Sequence, residues 1–186
     1  MTLDTRIAVD LLEPTAADDT ALINQLADLV NEVYAVAESG MWQEGATRTT
    51  PSEMALLVAA GEIAAATTRG GSVVGCIRVH DAAADVGEFG LLASAVDHRG
   101  AGIGRSLKDL AERRCRDRGM PTMQLELLVP REWRHPSKEF LKSWYGRSGY
   151  RLVRVGRIED AYPHLAPLLA TPCDLEIHQK PLQTDG

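Results

Sequence analysis

From Val86 to Val129 the chain reads as strand, glycine-rich turn, helix and strand, and this order constrains the fold more tightly than anything else in its 186 residues. The spacing predicts a strand over 86–96, a helix from about Gly104 to Arg118, and a strand over 122–129. Ile103, Leu107, Leu110, Ala111 and Cys115 recur on one helix face, and Gly119 and Pro121 stop the helix. A crossover of this kind joins parallel neighbours in one sheet. The turn itself is His98-Arg99-Gly100-Ala101-Gly102-Ile103-Gly104-Arg105-Ser106. Its glycines permit positive φ and close backbone approach. The first helical N–H groups have no partner inside the helix, and the dipole adds partial positive charge there. Such an end suits an anion, a diphosphate above all; a glycine-rich turn with no ligand is the plainer alternative. A G-x-x-x-x-G-K-[ST] loop is excluded, because Arg105 precedes Ser106 and no glycine stands five residues before Gly104. Gly100, Gly102 and Gly104 also depart from the dinucleotide spacing G-x-G-x-x-G.

The rest of the chain reads as mixed α/β. Ile7–Leu12 is expected to be a strand, and Pro14 leads into a helix with Thr15 as N-cap, running to about Glu38 on Leu22, Leu26, Leu29, Val33 and Ala37. A loop over 39–50 precedes a short helix from Pro51 to Ala60. A hairpin over 62–80 turns at Arg69-Gly70-Gly71. Residues 137–147 read as a helix, 150–158 as a strand and 173–179 as the last strand.

A chain of this length is most simply one domain, 1–186. No apolar run approaches the roughly 18 residues that span a bilayer, and the N-terminus lacks a basic, then apolar, leader. Cys76, Cys115 and Cys173 make neither a disulfide framework nor a zinc knuckle, so a cytoplasmic location is expected. The five histidines show no close ligand pair, and no metal is expected. Net charge is −6, yet residues 99–118 carry seven bases against three acids, and 131–157 eight against two. These blocks are either solvated helix faces or a local field for one anionic ligand. Nucleic acid is a poor fit to an acidic chain without interleaved aromatics at stacking spacing. No membrane partner is expected, and the oligomeric state stays open between a monomer and a homodimer.

Arg99, Gly102 and Gly104 satisfy a third pattern, Arg/Gln-x-x-Gly-x-Gly/Ala. Leu12-Glu13-Pro14-Thr15 stands before the first helix, Glu88-Phe89-Gly90-Leu91-Leu92-Ala93-Ser94 before the turn, and Trp144-Tyr145-Gly146-Arg147-Ser148-Gly149-Tyr150 closes the late helix as Tyr-x-x-x-Gly-aromatic. Taken in order over nearly the whole chain, these resemble the GNAT superfamily of acyl-CoA-dependent N-acetyltransferases. The resemblance implies a mostly antiparallel central sheet with helices on both faces, in which one parallel strand pair splays to admit acetyl-CoA. Leu92, Ala93 and Ser94 would bond the pantetheine. Arg99, Gly100, Ala101, Gly102, Ile103, Gly104 and Arg105 would hold the pyrophosphate, and a backbone N–H near Leu92 would polarise the acetyl carbonyl. Ser94 departs from the aliphatic residue common there, which places the expected strand bulge at that position. Arg105, Lys108 or cations of the 138–147 helix would meet the 3′-phosphate.

Acetyl transfer needs a base for the amine and a proton donor for the leaving thiolate. By the resemblance Glu88 is the base and Tyr145 the donor, with Glu126 and His135 as competing bases. A covalent cysteine route is disfavoured, because these cysteines read as small buried hydrophobes. Trp42, Arg131, Trp133 and His135 are expected to wall the acceptor pocket, with Arg131, Arg48 or His135 receiving a carboxylate. The expected reaction is acetylation of a small-molecule primary amine, with a carboxylate-bearing amine as the sharper hypothesis, in a ternary complex. A peptide or protein acceptor and a non-catalytic CoA-binding module are the alternatives.

Overall fold

The computed structural model describes residues 7–182. Seven strands form one sheet in the order β1-β2-β3-β4-β5-β7-β6. The strands are β1 Ile7–Leu11, β2 Ile63–Thr68, β3 Val73–Ala83, β4 Val86–Ser94, β5 Thr122–Pro130, β6 Arg151–Arg157 and β7 Cys173–Pro181. All neighbours are antiparallel except β4 and β5. The crossover between these two contains helix α3, Ile103–Asp117, as the strand–turn–helix–strand order requires. Helices α1 (Thr20–Ala37) and α2 (Pro51–Ala59) pack on one face; α3 and α4 (Pro136–Arg147) cover the other. No helix among the described residues is long and apolar enough to cross a membrane.

Alternation along the strands divides the core in two. Ile77, Val79, Phe89, Met123, Leu125 and Leu127 point to α3 and α4, where they meet Leu107, Ala111, Tyr145 and Tyr150. Ile63, Ala65, Cys76 and Ala93 point to Leu26, Val30, Met54 and Val58. A third cluster, around Met41, Leu128, Ile158, Leu175 and Ile177, lies under a segment that begins with the short helix α5, Ile158–Ala161.

Two local expectations change. The first helix begins at Thr20: Pro14–Asp18 winds into a 3₁₀ turn, and Asp19, whose side chain accepts from the Leu22 N–H, is the N-cap in place of Thr15. The bulge of β4 sits three residues before Ser94. Cys76 pairs with Ala93 and Arg78 with Gly90, so two residues of β4 oppose one of β3, and Leu91 takes a φ of +48°. A leucine in the left-handed region is strained, and bulges commonly re-aim the backbone beside a site. Just past the bulge the parallel ladder has ended: β4 and β5 pair only from Val86–Thr122 to Phe89–Leu125. The strands separate from Gly90 onward, and the functional cleft opens there.

Candidate active site

A cavity of about 1030 Å³ runs through this separation. On the α3/α4 side it is lined by His98, Arg99, Gly100, Gly102, Ile103, Gly104 and Arg105, and by Phe140, Leu141, Trp144 and Tyr145. On the α1/α2 side the lining includes Tyr34, Arg48, Arg78, His80, Glu88, Glu126 and Tyr162. Gly90, Leu91, Leu92 and Ser94 form the wall between.

The α3 end is built to receive an anion. Gly102 is the N-cap, left-handed at φ +75°, and no side chain caps the helix. The leading N–H groups of a 15-residue helix therefore face the cavity without an intrachain side-chain acceptor. Gly100 has φ +85°, and an added Cβ at either glycine would meet nothing within 4 Å, so conformation rather than crowding selects glycine. The other cations expected to contact phosphate are engaged elsewhere; Arg147 donates to Ser143 Oγ and lies outside the lining. Lys108 pairs with Asp109 and Glu112, Lys138 with Glu38, and Lys142 with Glu176. Among the described residues Arg99 and Arg105 line the cavity and form no ion pair. The splayed strands, the uncapped helix end and two guanidinium groups fit a nucleotide thioester carrying a diphosphate.

Tyr145 is 5 % exposed and packs on Phe89, Trp144 and Tyr150. Burial, and the neighbouring Tyr34, push its phenol well above the ordinary value. The phenol therefore keeps its proton at neutral pH. Tyr34, from α1, is pushed up to about 12 by burial, which Arg48 and hydrogen bonding from the Leu92 backbone partly offset. The Arg48 guanidinium lies 5.0 Å from the Tyr34 ring centroid. Asn31 holds that loop in place: its Oδ1 accepts from the N–H groups of Arg48 and Thr49, and its Nδ2 donates to the Thr49 carbonyl.

Glu88 sits on β4 just before the bulge. Gln124 Nε2 donates to its Oε2 at 2.7 Å, and His80 Nε2 lies 3.6 Å from Oε1. Burial first, then the charge of Glu126, raise its pKa above the ordinary value despite the Gln124 bond. A carboxylate raised in this way is a stronger base than an exposed glutamate. Glu126 accepts a short hydrogen bond from Tyr162, which also feels the charges of Glu88 and Arg48.

The four expected wall residues lie away from the cavity lining. Arg131 pairs with Asp174 at 2.6 Å and donates to the Cys173 carbonyl. Trp133 donates to Thr171 and stacks near His135. His135 caps α4: Nδ1 accepts from Ser137 N–H, so Nε2 donates to the Ser39 carbonyl. With both nitrogens committed and the ring buried, it is no free base. Trp42 donates to Glu38, which forms a buried pair with Lys138 at 2.7 Å. The Glu38–Lys138 pair and the His135–Ser39 bond tie the end of α1 to the start of α4, while Arg131 and Trp133 hold the segment before β7. Ala93 turns into the α1/α2 core, and Ala101 lies outside the lining. The three cysteines are buried free thiols, each raised by burial, and none is a ready nucleophile.

Sequence reasoning missed Tyr34, His80, Gln124 and Tyr162. None stands in a motif; each reaches the cavity or Glu88 through pairing between strands or packing across the sheet. The one signal in the chain was strand parity, which places His80, Glu88 and Glu126 on a single face once the registers are known.

Solved structures share this architecture. The PaiA N-acetyltransferase of Thermoplasma acidophilum, in complex with coenzyme A, superposes with a TM-score of 0.68 at 14% identity, over 95% of this chain and 99% of that one. The ribosomal-protein-S18-alanine N-acetyltransferase of Escherichia coli gives 0.60 at 15%, over 97% of both chains. The N-acetylglutamate synthase of Neisseria gonorrhoeae, complexed with coenzyme A and N-acetyl-glutamate, gives 0.64 at 15%; 97% of this chain is covered but only 36% of that longer one. No curated protein sequence matches significantly. The sequence model of the acetyltransferase (GNAT) family, in contrast, matches residues 23–146, well over half of the chain. The uncapped helix end and the splayed strands lie within that span, and the chain belongs to the GNAT acetyltransferase family, an acyltransferase with acetyl-CoA as its co-substrate.

Proposed function

We propose that this acetyltransferase acylates the primary amine of a small molecule that also carries an acidic group, with both substrates bound together. The observation that carries this reading is the polarity of the acceptor side. Glu88 and Glu126 stand on the sheet, while Arg48 lines the same cavity from the loop after α1, over the Tyr34 ring. A zwitterion laid between them would place its ammonium at the carboxylates and its acid at the guanidinium. The fold's likeness to an enzyme crystallised with N-acetyl-glutamate is consistent with such an acceptor. A peptide amino terminus is the second reading, supported by the likeness to an alanine N-acetyltransferase of a ribosomal protein.

Acetyl-CoA supplies an activated acyl group and a thiolate leaving group. The chain's residues do the rest. Arg99, Gly100, Gly102, Ile103, Gly104 and Arg105 bind phosphate at the α3 end, and Leu92 and Ser94 offer main-chain bonds. Glu88 takes the proton that the amine must lose. Tyr145 donates to the sulfur as negative charge develops there, a role that its raised pKa permits because donation needs only the protonated phenol.

A screen of amines by thiol release tests the reading: acid-bearing small amines are expected to turn over, and exclusive turnover of polyamines or peptides would refute it. With the best acceptor, Arg48→Ala is expected to raise KM about 10–100-fold, the loss of one charge-assisted contact. An acceptor lacking the acid should be nearly indifferent to that change. Tyr145→Phe is expected to lower kcat about 100-fold with KM for acetyl-CoA little altered; a wild-type kcat would remove the tyrosine from the mechanism.

A further inference from the structure

Beside the candidate base lies a histidine that the mechanism above does not use. His80 and Glu88 are directly opposed in the β3–β4 ladder. Their side chains belong to a polar row that crosses four strands on the α1/α2 face. Gln179 Nε2 donates to Gln124 Oε1 at 2.8 Å, Gln124 Nε2 donates to Glu88 Oε2 at 2.7 Å, and Glu88 Oε1 is left facing His80 Nε2 at 3.6 Å. The row fixes one carboxylate oxygen and leaves the other toward the imidazole. His80 lines the cavity with a side chain 21% exposed, so it borders both the site and solvent. Its Nδ1 is buried with no hydrogen-bond partner among the described residues.

We infer that His80 is a proton-relay residue acting through Glu88: it removes the proton that Glu88 has taken from the acceptor and passes it to solvent. The inference rests on Glu88 being the base. Acetylation of an acceptor that arrives as an ammonium releases one proton per turnover, and this proton must leave the cavity before Glu88 can act again. In the first step the ammonium N–H bond breaks as an O–H bond forms on Glu88 Oε1. In the second that proton moves to the lone pair of His80 Nε2, by a small side-chain rotation or through one water, and the carboxylate is restored. The imidazolium then gives its proton from Nε2 to water in the cavity, since Nδ1 is buried away from solvent. The electrostatics favour an easy exchange. Burial, then Arg78, lower the His80 pKa, with Glu62 and Asp81 opposing, whereas burial, then Glu126, raise that of Glu88. The two groups are thus drawn toward a common value, which minimises the cost of moving a proton between them. The other groups facing the pair are Gln124 on β5, which is neutral, and Tyr162, which is held on Glu126 and kept protonated.

Two measurements test the relay. In the first, His80→Ala and His80→Asn are assayed in dilute, weakly basic buffer with an accepted amine. Both should lose about tenfold in kcat, and imidazole, then more basic methylimidazoles, should restore the rate of His80→Ala progressively. A wild-type kcat in either variant, or a lowered rate that no imidazole raises, overturns the relay. The second measurement needs no acceptor and no altered histidine. The His80 ring proton is titrated by NMR in the wild type and in Glu88→Gln. Coupled groups share macroscopic steps, so the midpoint should differ by about one pH unit between the two; superimposable curves overturn the relay. Failure of every amine to turn over would count against the proposed acceptor chemistry alone, since the titration judges the His80–Glu88 coupling independently.

Discussion

Glu88→Gln is expected to lower kcat by about 10²- to 10⁴-fold, the range for loss of a positioned general base. The substitution keeps the shape and a hydrogen bond to Gln124 but removes the carboxylate that accepts the amine proton next to the bulge. Affinity for acetyl-CoA should not change, because the phosphate cradle lies on the other side of the sheet. The pH dependence carries a second signature. Burial and Glu126 hold the Glu88 pKa above its ordinary 4.5, so the acid limb of kcat/KM should fall at higher pH than an ordinary glutamate would give, and it should vanish in the variant. Stability should move the opposite way from activity. A carboxylate with a raised folded pKa contributes stability below its unfolded pKa, and that contribution is lost as pH rises through the folded value. At neutral pH the charged Glu88 is therefore a burden on the fold, and Glu88→Gln should be at least as stable as the wild type in urea. A variant that is both fully active and unshifted in its acid limb would move the base to another residue.

Glu112→Gln is expected to cost about 3 kcal/mol of folding stability, the lower end of the range for breaking a buried ionic group by removing one partner. Glu112 lies on α3 with a side chain 4% exposed, and it is the hub of a network. Lys108 and Lys180 reach it at 3.1 and 2.8 Å, Arg116 at 3.2 Å, and the Tyr150 hydroxyl donates to it at 2.9 Å. Neutralising the hub leaves Lys108, itself 6% exposed, with Asp109 alone, while Lys180 and Arg116 can turn to solvent. For a chain of this size the loss corresponds to roughly 6–12 °C in Tm. The partners hold the Glu112 pKa below the ordinary value against the cost of burial. Its contribution is therefore present above the unfolded pKa of about 4.3 and lost as pH falls through the lower folded value. The gap between wild type and variant should be full at pH 7 and close in acid. Equal midpoints at pH 7, or a gap that persists below the folded value, would show that the network does not stabilise the fold in this way.

Those parts of the site that are continuous along the chain are legible in the residues themselves. The turn from His98 to Ser106 is one such part, since strand, glycines and amphipathic helix follow within a few residues and backbone conformation alone makes the cradle. Tyr145 and Glu88 are reached through motif likeness, and both line the cavity. The acceptor side reads poorly. Arg131, Trp133 and His135 have the chemistry of a pocket wall, but an ion pair, a hydrogen bond to Thr171 and a helix cap occupy them. Side-chain type does not tell which partner a residue will find. Arg48 alone among the expected carboxylate receptors lines the cavity, because Asn31, 17 residues earlier, pins its backbone.

What the sequence determined by itself is local: element order, the parallel crossover, the glycine conformations and the uncapped helix end. These follow from backbone sterics and short-range periodicity, which act within a few residues. Tertiary structure alone decided the rest. The bulge at Leu91, where β4 leaves β5, depends on how β3 registers against it. The row from Gln179 to His80 exists only because four strands bring residues as far apart as 80 and 179 onto one face. Pairing of that kind is set by long-range burial of both sheet faces at once.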